Sequence, residues 1–208
     1  MTPPAPARLW GFFAEGAPVC VIARRGPAKY SQLILWETDT DTFTPGQWFQ
    51  GHIDFATLSH NGTHMAAGIR RVRTRRYAKE PEHELALVCR PPYVTALEVW
   101  LVWLLGTTVA FLPNDVLVGP RTEGNHKVLA PSPCPFLRVK DDNSYPREHK
   151  WTIDARRRPA TGIDHRGRQI TFEAGCVYGS EDGVRRLLLD TNPMKFEPIE
   201  APEWAKDW

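Results

Sequence analysis

The sequence predicts an all-β fold in which short antiparallel strands follow one another as a meander. Two stretches, 58–67 and 163–172, share one layout: an aliphatic residue, a small polar residue, His, a turn former and then Gly. Each copy has the form of strand, tight turn and strand, and such an internal repeat indicates a fold assembled from similar hairpins. The chain of 208 residues also contains 19 prolines and 15 glycines, which favour many turns and oppose long helices.

Apolar runs bounded by turn formers predict the strands in order along the chain. The first hairpin joins residues 17–24 to residues 31–36 around a turn at 24–27. A stretch in which threonine alternates with acids follows at 37–44, and Pro45-Gly46 is predicted to end it. The remaining predicted strands are 52–58, 65–72, 85–89, 94–103, 109–112, 116–118, 136–139, 169–172, 176–178 and 186–189.

The two repeat turns are the clearest local signals. Asn61-Gly62 is the dipeptide most typical of a two-residue hairpin turn, and Arg166-Gly167 occupies the equivalent place in the second copy. A further turn is predicted at Glu181-Asp182-Gly183, between the last two strands.

One apolar segment raises the question of a membrane span. Residues 94–112 carry Glu98 as their only charge, and their length would just cross a bilayer. The segment is nevertheless rich in Val, Thr, Trp and Phe, and Gly106-Thr107-Thr108 interrupts it. We therefore predict two buried strands around a turn, and no membrane partner.

The chain divides into three predicted parts. Residues 1–9 are rich in proline and predict a flexible N-terminal arm, and residues 10–192 predict a single all-β domain. Within that domain, residues 119–150 hold many Pro, Asn, Asp and Lys residues and predict a mobile connection. Residues 193–208 form a proline-rich C-terminal tail.

The bulk composition is that of an ordinary globular protein. A formal net charge of +2 is too small to imply a nucleic-acid partner by itself. The N-terminus has neither the charged nor the apolar region of a signal peptide. No two cysteines have metal-ligand spacing, so we expect free thiols and a cytoplasmic location. The four cysteines are Cys20, Cys89, Cys134 and Cys176.

Long motifs spread over most of the chain carry a resemblance to a known group of proteins. They read WGFFA at 10–14, WETDTDTFTPGQWF at 36–49, LSHNG at 58–62, RPPYVTALEVW at 90–100 and NPMKFEPIEAPEWA at 192–205. With these motifs the chain resembles a family of bacterial β-propeller-like proteins to which no activity is assigned. It departs from that pattern where LSHNG replaces an acidic LSPDG and where residues 70–79 are unusually basic. The resemblance therefore implies a fold and transfers no catalytic residue.

The spacing of the repeat limits the propeller prediction. The copies begin at Leu58 and Ile163, 105 positions apart, whereas a propeller blade takes about 40–50 residues. Either divergent blades lie between the two copies or the propeller is small or incomplete. A β-sandwich is the alternative fold.

A basic segment after the first repeat copy is the candidate nucleic-acid site. Guanidinium groups in a row can hold phosphates, and an adjacent tyrosine can stack on a base. The alternative is a solvated edge strand whose charges prevent aggregation, with Glu80, Glu82 and Glu84 close enough to neutralise it. The candidate residues are Arg70, Arg71, Arg73, Arg75, Arg76, Tyr77 and Lys79.

The histidines of the repeat turns allow two interpretations. His60 and His64, together with His52, could coordinate zinc, but a turn does not hold such side chains together as a helix does. We favour the interpretation in which His60 and His165 cap their own turns by hydrogen bonding to the backbone.

Acidic residues are plentiful, yet no motif makes them a site. The sequence has no calcium-loop spacing, nucleophile elbow, Walker A loop, dinucleotide fingerprint or HExxH motif. It therefore predicts no catalytic residue, no metal site and no cofactor. A hydrolase with an unrecognised acidic site is kept as an alternative.

The tryptophans fall into two groups. Trp36, Trp48, Trp100 and Trp103 stand in strand-like contexts and predict core positions. Trp204 and Trp208 end an acidic tail that has no strand partner in the sequence. Such a tail either folds back to seal its own domain, which we favour, or docks on a partner.

These observations lead to one main functional hypothesis and two rivals. The main hypothesis is a non-enzymatic, propeller-like scaffold in the cytoplasm that mediates protein–protein interaction. The rivals are a nucleic-acid-binding protein that uses residues 70–79 and the hydrolase already mentioned.

Overall fold

A computed structural model describes residues 5–26, 29–70, 84–102, 109–119, 126–140, 152–154 and 160–208. These residues form seventeen strands and one short 3-10 helix at Glu203–Lys206, so the predicted all-β class is confirmed. The strands are β1 (Arg8–Phe13), β2 (Val19–Arg25), β3 (Tyr30–Glu37), β4 (Thr42–Gln50), β5 (His52–Leu58), β6 (Met65–Arg70), β7 (Glu84–Cys89), β8 (Ala96–Val102), β9 (Ala110–Leu112), β10 (Val116–Gly119), β11 (His126–Val128), β12 (Leu137–Lys140), β13 (Thr152–Asp154), β14 (Ala160–Ile163), β15 (Gln169–Glu173), β16 (Cys176–Glu181) and β17 (Val184–Asp190).

The strands form four sheets, each built mainly from strands that are close together in the chain. The first sheet has the order β13-β1-β2-β3-β4, and the second has the order β11-β8-β7-β6-β5. The third is β12-β10-β9, and the fourth is β14-β15-β16-β17. Neighbouring strands are antiparallel except for β10 and β12, which pair in parallel. The predicted antiparallel meander is therefore present in the first, second and fourth sheets.

Among the described residues, three hydrophobic clusters show how the sheets stack. The cluster between the first and second sheets includes Trp10, Phe12, Leu33, Met65 and Leu87. The opposite face of the first sheet packs on the fourth through Ile22, Trp36, Ile170, Phe172 and Val177. The opposite face of the second sheet packs on the third through Val88, Trp100, Phe111 and Leu117. Alternate residues of β2 and β3 thus point into different cores, which explains why these strands read as continuous apolar runs.

The stacking order of fourth, first, second and third sheets bears on the propeller prediction. Four-stranded meanders packed face to face are the arrangement of neighbouring propeller blades. No hydrophobic cluster among the described residues joins the third sheet to the fourth. A closed ring is therefore not shown, and the propeller remains a prediction within the confirmed all-β class.

The end predicted for the stretch before Pro45 and the bounds predicted for the N-terminal arm differ from the structure. Strand β4 runs through Pro45 and Gly46, where the sequence predicted an end. Because β4 is the edge strand of its sheet, the missing proline N–H need not be paired on its outer side. At the N-terminus β1 begins at Arg8, inside the arm predicted over residues 1–9, and Leu9 is buried.

The apolar segment 94–112 is accounted for by strands in its described part. Strands β8 and β9 occupy its two ends, and residues 103–108 lie outside the described residues. No helix in the described ranges is long and apolar enough to cross a membrane. The predicted connection at 119–150 also contains two short strands, of which β12 matches the predicted strand at 136–139.

Candidate functional site

The predicted nucleic-acid site falls almost entirely outside the described residues. Only Arg70 is described; it is the last residue of β6 and is half-buried. The structure therefore does not test the basic segment, and nucleic-acid binding remains a prediction. The residues outside the described ranges are Arg71, Arg73, Arg75, Arg76, Tyr77 and Lys79.

The two repeat turns share a backbone conformation. Gly62 and Gly167 have φ values of +74° and +75°, and each donates its N–H to the carbonyl three residues earlier. The loops differ in length, because Ser59 pairs with His64 across the first loop and Asp164 pairs with Arg168 across the second. The first loop is thus one residue longer between its paired ends.

The histidines do not cap these turns as predicted. The Ser59 hydroxyl accepts the His64 N–H at 3.0 Å in the first turn. In the second, the Asp164 carboxylate accepts the N–H groups of Arg166 and Arg168 at 3.0 and 2.9 Å. The small polar residue before each histidine is the cap, because its short side chain reaches backbone N–H groups within its own turn.

His64 is the buried histidine of the first turn. Its Nδ1 lies 2.9 Å from the Thr63 hydroxyl, and its ring stacks on Trp208 at 5.9 Å between centroids. Burial lowers its pKa from 6.5 to about 4. Across the described part of the chain, no three His, Cys, Asp or Glu residues are placed to hold a metal ion, so the zinc interpretation of His52, His60 and His64 gains no support.

The C-terminal tail lies along the sheets of its own domain. Trp204 contacts Tyr93, and its carbonyl accepts a hydrogen bond from the Arg90 guanidinium at 2.8 Å. The Asp207 carboxylate accepts hydrogen bonds from the Ser132 N–H and hydroxyl at 2.9 and 2.6 Å. Trp208 packs at the edge of the core between the second and third sheets. These contacts match the alternative in which the tail folds back on its own domain. Docking of Trp204 and Trp208 on a partner remains a prediction.

A buried ion cluster lies between the second and third sheets. Glu98 of β8 has no exposed surface, and Arg138 of β12 binds both of its carboxylate oxygens, at 2.6 and 2.5 Å. Nε2 of His126 contacts the same carboxylate, and the His126 ring stacks on Trp100 at 4.8 Å. Both oxygens of Glu98 thus have a donor, which is the arrangement expected of a structural ion cluster.

Three carboxyl groups of the described residues have displaced pKa values, and all three are displaced downward. Hydrogen bonds from Arg168, Asn192 and Ser132 lower the pKa of Asp41, Asp190 and Asp207, respectively. A general acid requires the opposite displacement, since it must hold its proton near neutral pH. Asp41 is therefore an ion-pair partner of Arg168, whereas Asp190 and Asp207 accept hydrogen bonds in a turn and in the tail, and the hydrolase alternative finds no support in these three groups.

A different set of residues forms the candidate site. Arg24, Gln32 and Trp48 lie directly opposite one another on β2, β3 and β4, so their side chains share the face of the first sheet that also meets the fourth. Arg24 and Gln32 are 4% and 3% exposed. The Arg24 guanidinium reaches across the sheet and lies 4.9 Å from the centre of the Trp48 ring. We call these three residues the polar row.

Each member of the polar row has a buried polar atom without a partner among the described residues. These atoms are Arg24 Nη1, Gln32 Oε1 and Trp48 Nε1. The other Arg24 nitrogens are satisfied: Nε and Nη2 donate to the carbonyls of Thr191 and Met194, both at 3.0 Å. An unsatisfied buried polar group costs about 1–3 kcal/mol, so three in one row call for an explanation.

Exposed aromatic rings border the polar row. Phe196 of the tail packs on Trp48 and on Tyr30, with ring centroids 5.6 and 5.2 Å apart. Phe196 is 56% exposed and Tyr30 is 41% exposed. We call Tyr30, Trp48 and Phe196 the aromatic surface. Large aromatic side chains next to an arginine are the composition typical of interaction hot spots.

The sequence pattern does not reveal this site, for identifiable reasons. The sequence predicts that Trp48 belongs to the hydrophobic core, whereas this residue is half-buried. Of the other tryptophans with that prediction, Trp36 and Trp100 are buried, and Trp103 lies outside the described residues. Arg24 and Gln32 stand within or beside apolar runs, where each reads as a strand end. The signal that the sequence does contain is a polar residue within an apolar run, because a polar side chain in a strand that is buried on both faces needs a partner.

Comparison with protein-family models, with curated proteins and with solved structures gave no match for this chain. The motif resemblance to propeller-like proteins therefore remains a prediction.

Proposed function

We propose that the protein is a non-enzymatic, propeller-like module of the cytoplasm that binds a protein partner through the aromatic surface. The observation that carries this proposal is the exposure of Tyr30 and Phe196 beside the buried, uncompensated guanidinium of Arg24. Exposed aromatic rings offer large apolar area at low conformational cost, and an adjacent arginine adds hydrogen-bond donors.

The surrounding fold suits a binding module. The first sheet is covered on both faces, so it holds Trp48 and Arg24 on a rigid support. All four cysteines are free thiols, and burial raises the pKa of the Cys20 and Cys89 thiols well above the ordinary value. Such thiols are unreactive, which is consistent with a structural role in a reducing compartment.

The proposal is tested by capturing the partner with matched variants. Wild-type protein and the double variant Tyr30→Ala/Phe196→Ala are immobilised and exposed to extract from the native source. We expect the partner recovered by wild type to fall at least about tenfold with the double variant, because hot-spot truncations cost about 2 kcal/mol or more. Both side chains are partly exposed, so the melting temperature should change little.

The control is a second pair of exposed apolar residues. Val184 and Leu187 of β17 are 62% and 55% exposed, and neither belongs to the aromatic surface. The variant Val184→Ala/Leu187→Ala should recover the partner as wild type does. Equal recovery with both double variants, or loss with the β17 pair alone, would contradict the proposal.

A further inference from the structure

Arg24 is a buried cation whose described hydrogen bonds all go to neutral groups. Its two bonded nitrogens donate to main-chain carbonyls, and neither acceptor is a carboxylate. Burial lowers its pKa from the ordinary value, which is the direction expected of a guanidinium removed from water without a neutralising anion. A bound anion would supply the missing charge and an acceptor for Nη1.

The other two atoms of the polar row restrict which anion fits. Trp48 Nε1 is a second donor, since an indole nitrogen cannot accept a hydrogen bond. Gln32 Oε1 is an acceptor, because the Gln32 amide nitrogen already donates to the Gly46 carbonyl at 3.2 Å. The row therefore offers two donors and one acceptor to a ligand that carries both an anion and an N–H group.

We infer that the polar row binds the C-terminal carboxylate of a partner peptide, an inference that rests on the proposed function. One carboxylate oxygen accepts from Arg24 Nη1 and the other from Trp48 Nε1. The amide N–H of the same terminal residue donates to Gln32 Oε1. A C-terminal residue holds these groups close together, so one residue satisfies all three members of the row.

The same pattern disfavours a phosphate group. A phosphate at neutral pH presents acceptors almost exclusively, and these would face the Gln32 carbonyl oxygen at close range. The aromatic surface adds a preference for an apolar terminal side chain, because Tyr30 and Phe196 border the row. Phe196 packs on Trp48 and has to turn outward for the carboxylate to reach the row, and this movement breaks its ring contacts with Trp48 and Tyr30.

The test follows the indole N–H of Trp48 by NMR during titration with defined peptides. The first probe is N-acetyl-glycyl-phenylalanine with a free carboxylate, and the second is its C-terminal amide. The third, N-acetyl-glycyl-aspartyl-glycinamide, carries its carboxylate in a side chain. We expect the free acid to shift the Trp48 signal and to bind at least about tenfold more tightly than either other probe, as for loss of a charge-assisted hydrogen bond.

Variants assign the binding to the row. Trp48→Phe keeps an aromatic ring but removes the indole N–H donor, and Gln32→Glu places a negative charge opposite the carboxylate of the ligand. Each variant should weaken binding of the free acid about tenfold, and calorimetry measures the dissociation constants. Arg24→Lys should also weaken binding of the free acid about tenfold. If Arg24→Lys does not fold, the Trp48→Phe and Gln32→Glu variants test the inference. Leu187→Ala alters an exposed apolar residue outside the row and should bind as wild type does.

Three results would overturn the inference: no shift of the Trp48 signal, equal binding of acid and amide, or equal binding of the aspartyl probe. If the free acid fails to bind while partner capture still depends on Tyr30 and Phe196, the inference falls and the proposed function stands. If capture is also insensitive to those residues, both fall.

Discussion

Arg168 binds both carboxylate oxygens of Asp41 across 127 positions of sequence, at 2.7 and 2.8 Å. The same guanidinium donates to the Asp164 carboxylate at 2.8 Å and to the Thr38 carbonyl at 3.0 Å. It therefore joins the turn before β4 in the first sheet to the second repeat turn in the fourth sheet. The arginine side chain is only 5% exposed, so the four interactions form in a largely dry environment.

Removing Arg168 should destabilise the fold strongly. Arg168→Ala leaves the buried Asp164 carboxylate without its cation, and breaking a buried ion pair in this way costs about 3–5 kcal/mol of unfolding free energy. The measurement is urea denaturation at neutral pH. The control is Arg185→Ala, whose partner Glu173 is 45% exposed and whose loss should cost less than about 1 kcal/mol. Similar losses for the two variants would show that Arg168 does not join the sheets.

The Glu98 cluster should respond asymmetrically to mutation. Arg138→Met leaves a carboxylate with no exposed surface and no guanidinium, and we expect a loss of about 3–5 kcal/mol. Glu98→Gln leaves Arg138 and His126, whose side chains are 38% and 33% exposed and can turn to water, so the loss should be about 1–3 kcal/mol. Chemical denaturation of both variants measures the difference, and the reverse order would refute this account.

Stability should fall between pH 6.5 and pH 4 because of His64. Its pKa is about 4 in the folded protein, against an ordinary value of 6.5 for a solvated histidine, so the unfolded chain binds the extra proton first. The contribution is complete above pH 6.5 and is lost as the pH falls towards 4, by about 3 kcal/mol in all. His64→Phe should flatten this part of the stability profile. His165→Phe, a change at an exposed histidine, should not.

Trp208 should control the titration of His64. Because the Trp208 ring stacks on His64, Trp208→Ala opens the imidazole to water and should raise its pKa from about 4 towards 6.5. NMR titration of the His64 ring measures this directly, and the melting temperature should fall at the same time. An unchanged His64 pKa would mean that the tail does not cover the histidine in solution.

The two repeat glycines provide a matched pair. An alanine at Gly167 meets no atom within 4 Å, so Gly167→Ala should cost only the left-handed backbone term of about 1–2 kcal/mol. At Gly62 a new Cβ would lie 2.9 Å from Val19 Cβ, so Gly62→Ala should cost at least about 1 kcal/mol more. Thermal denaturation of both variants gives the comparison; equal losses would mean that the Val19 contact relaxes without cost.

Much of the strand order was predictable because the signals are local. Asn61-Gly62 and Arg166-Gly167 both proved to be turns with glycine at positive φ, as their composition indicated. The apolar runs at 17–24 and 31–36 became β2 and β3, since buried strands need β-branched and aliphatic residues. The predicted strand end at Pro45 was wrong because a proline interrupts a central strand but is tolerated in an edge strand. Whether a strand lies at the edge depends on how the whole sheet is assembled, which the local sequence does not show.

The candidate site was not predictable, because the residues that form it are far apart in the sequence. Arg24 meets Thr191 and Met194 from 167 and 170 positions away, and Trp48 meets Phe196 of the tail. No spacing rule connects residues so distant in sequence. Register across three strands sets Arg24, Gln32 and Trp48 side by side, and register depends on turn length and packing as well as on composition.

The sequence by itself determined the all-β class, the turns and most of the strands, because glycine, proline and alternating apolar residues act within a few positions. Only the tertiary structure decided that small polar residues cap the repeat turns and that the tail lies along its own domain. It also decided that three side chains with unpartnered buried polar atoms lie opposite one another on β2, β3 and β4, next to exposed aromatic rings. Those outcomes depend on which faces the sheets bury against one another, because burial leaves polar atoms of Arg24, Gln32 and Trp48 without partners among the described residues.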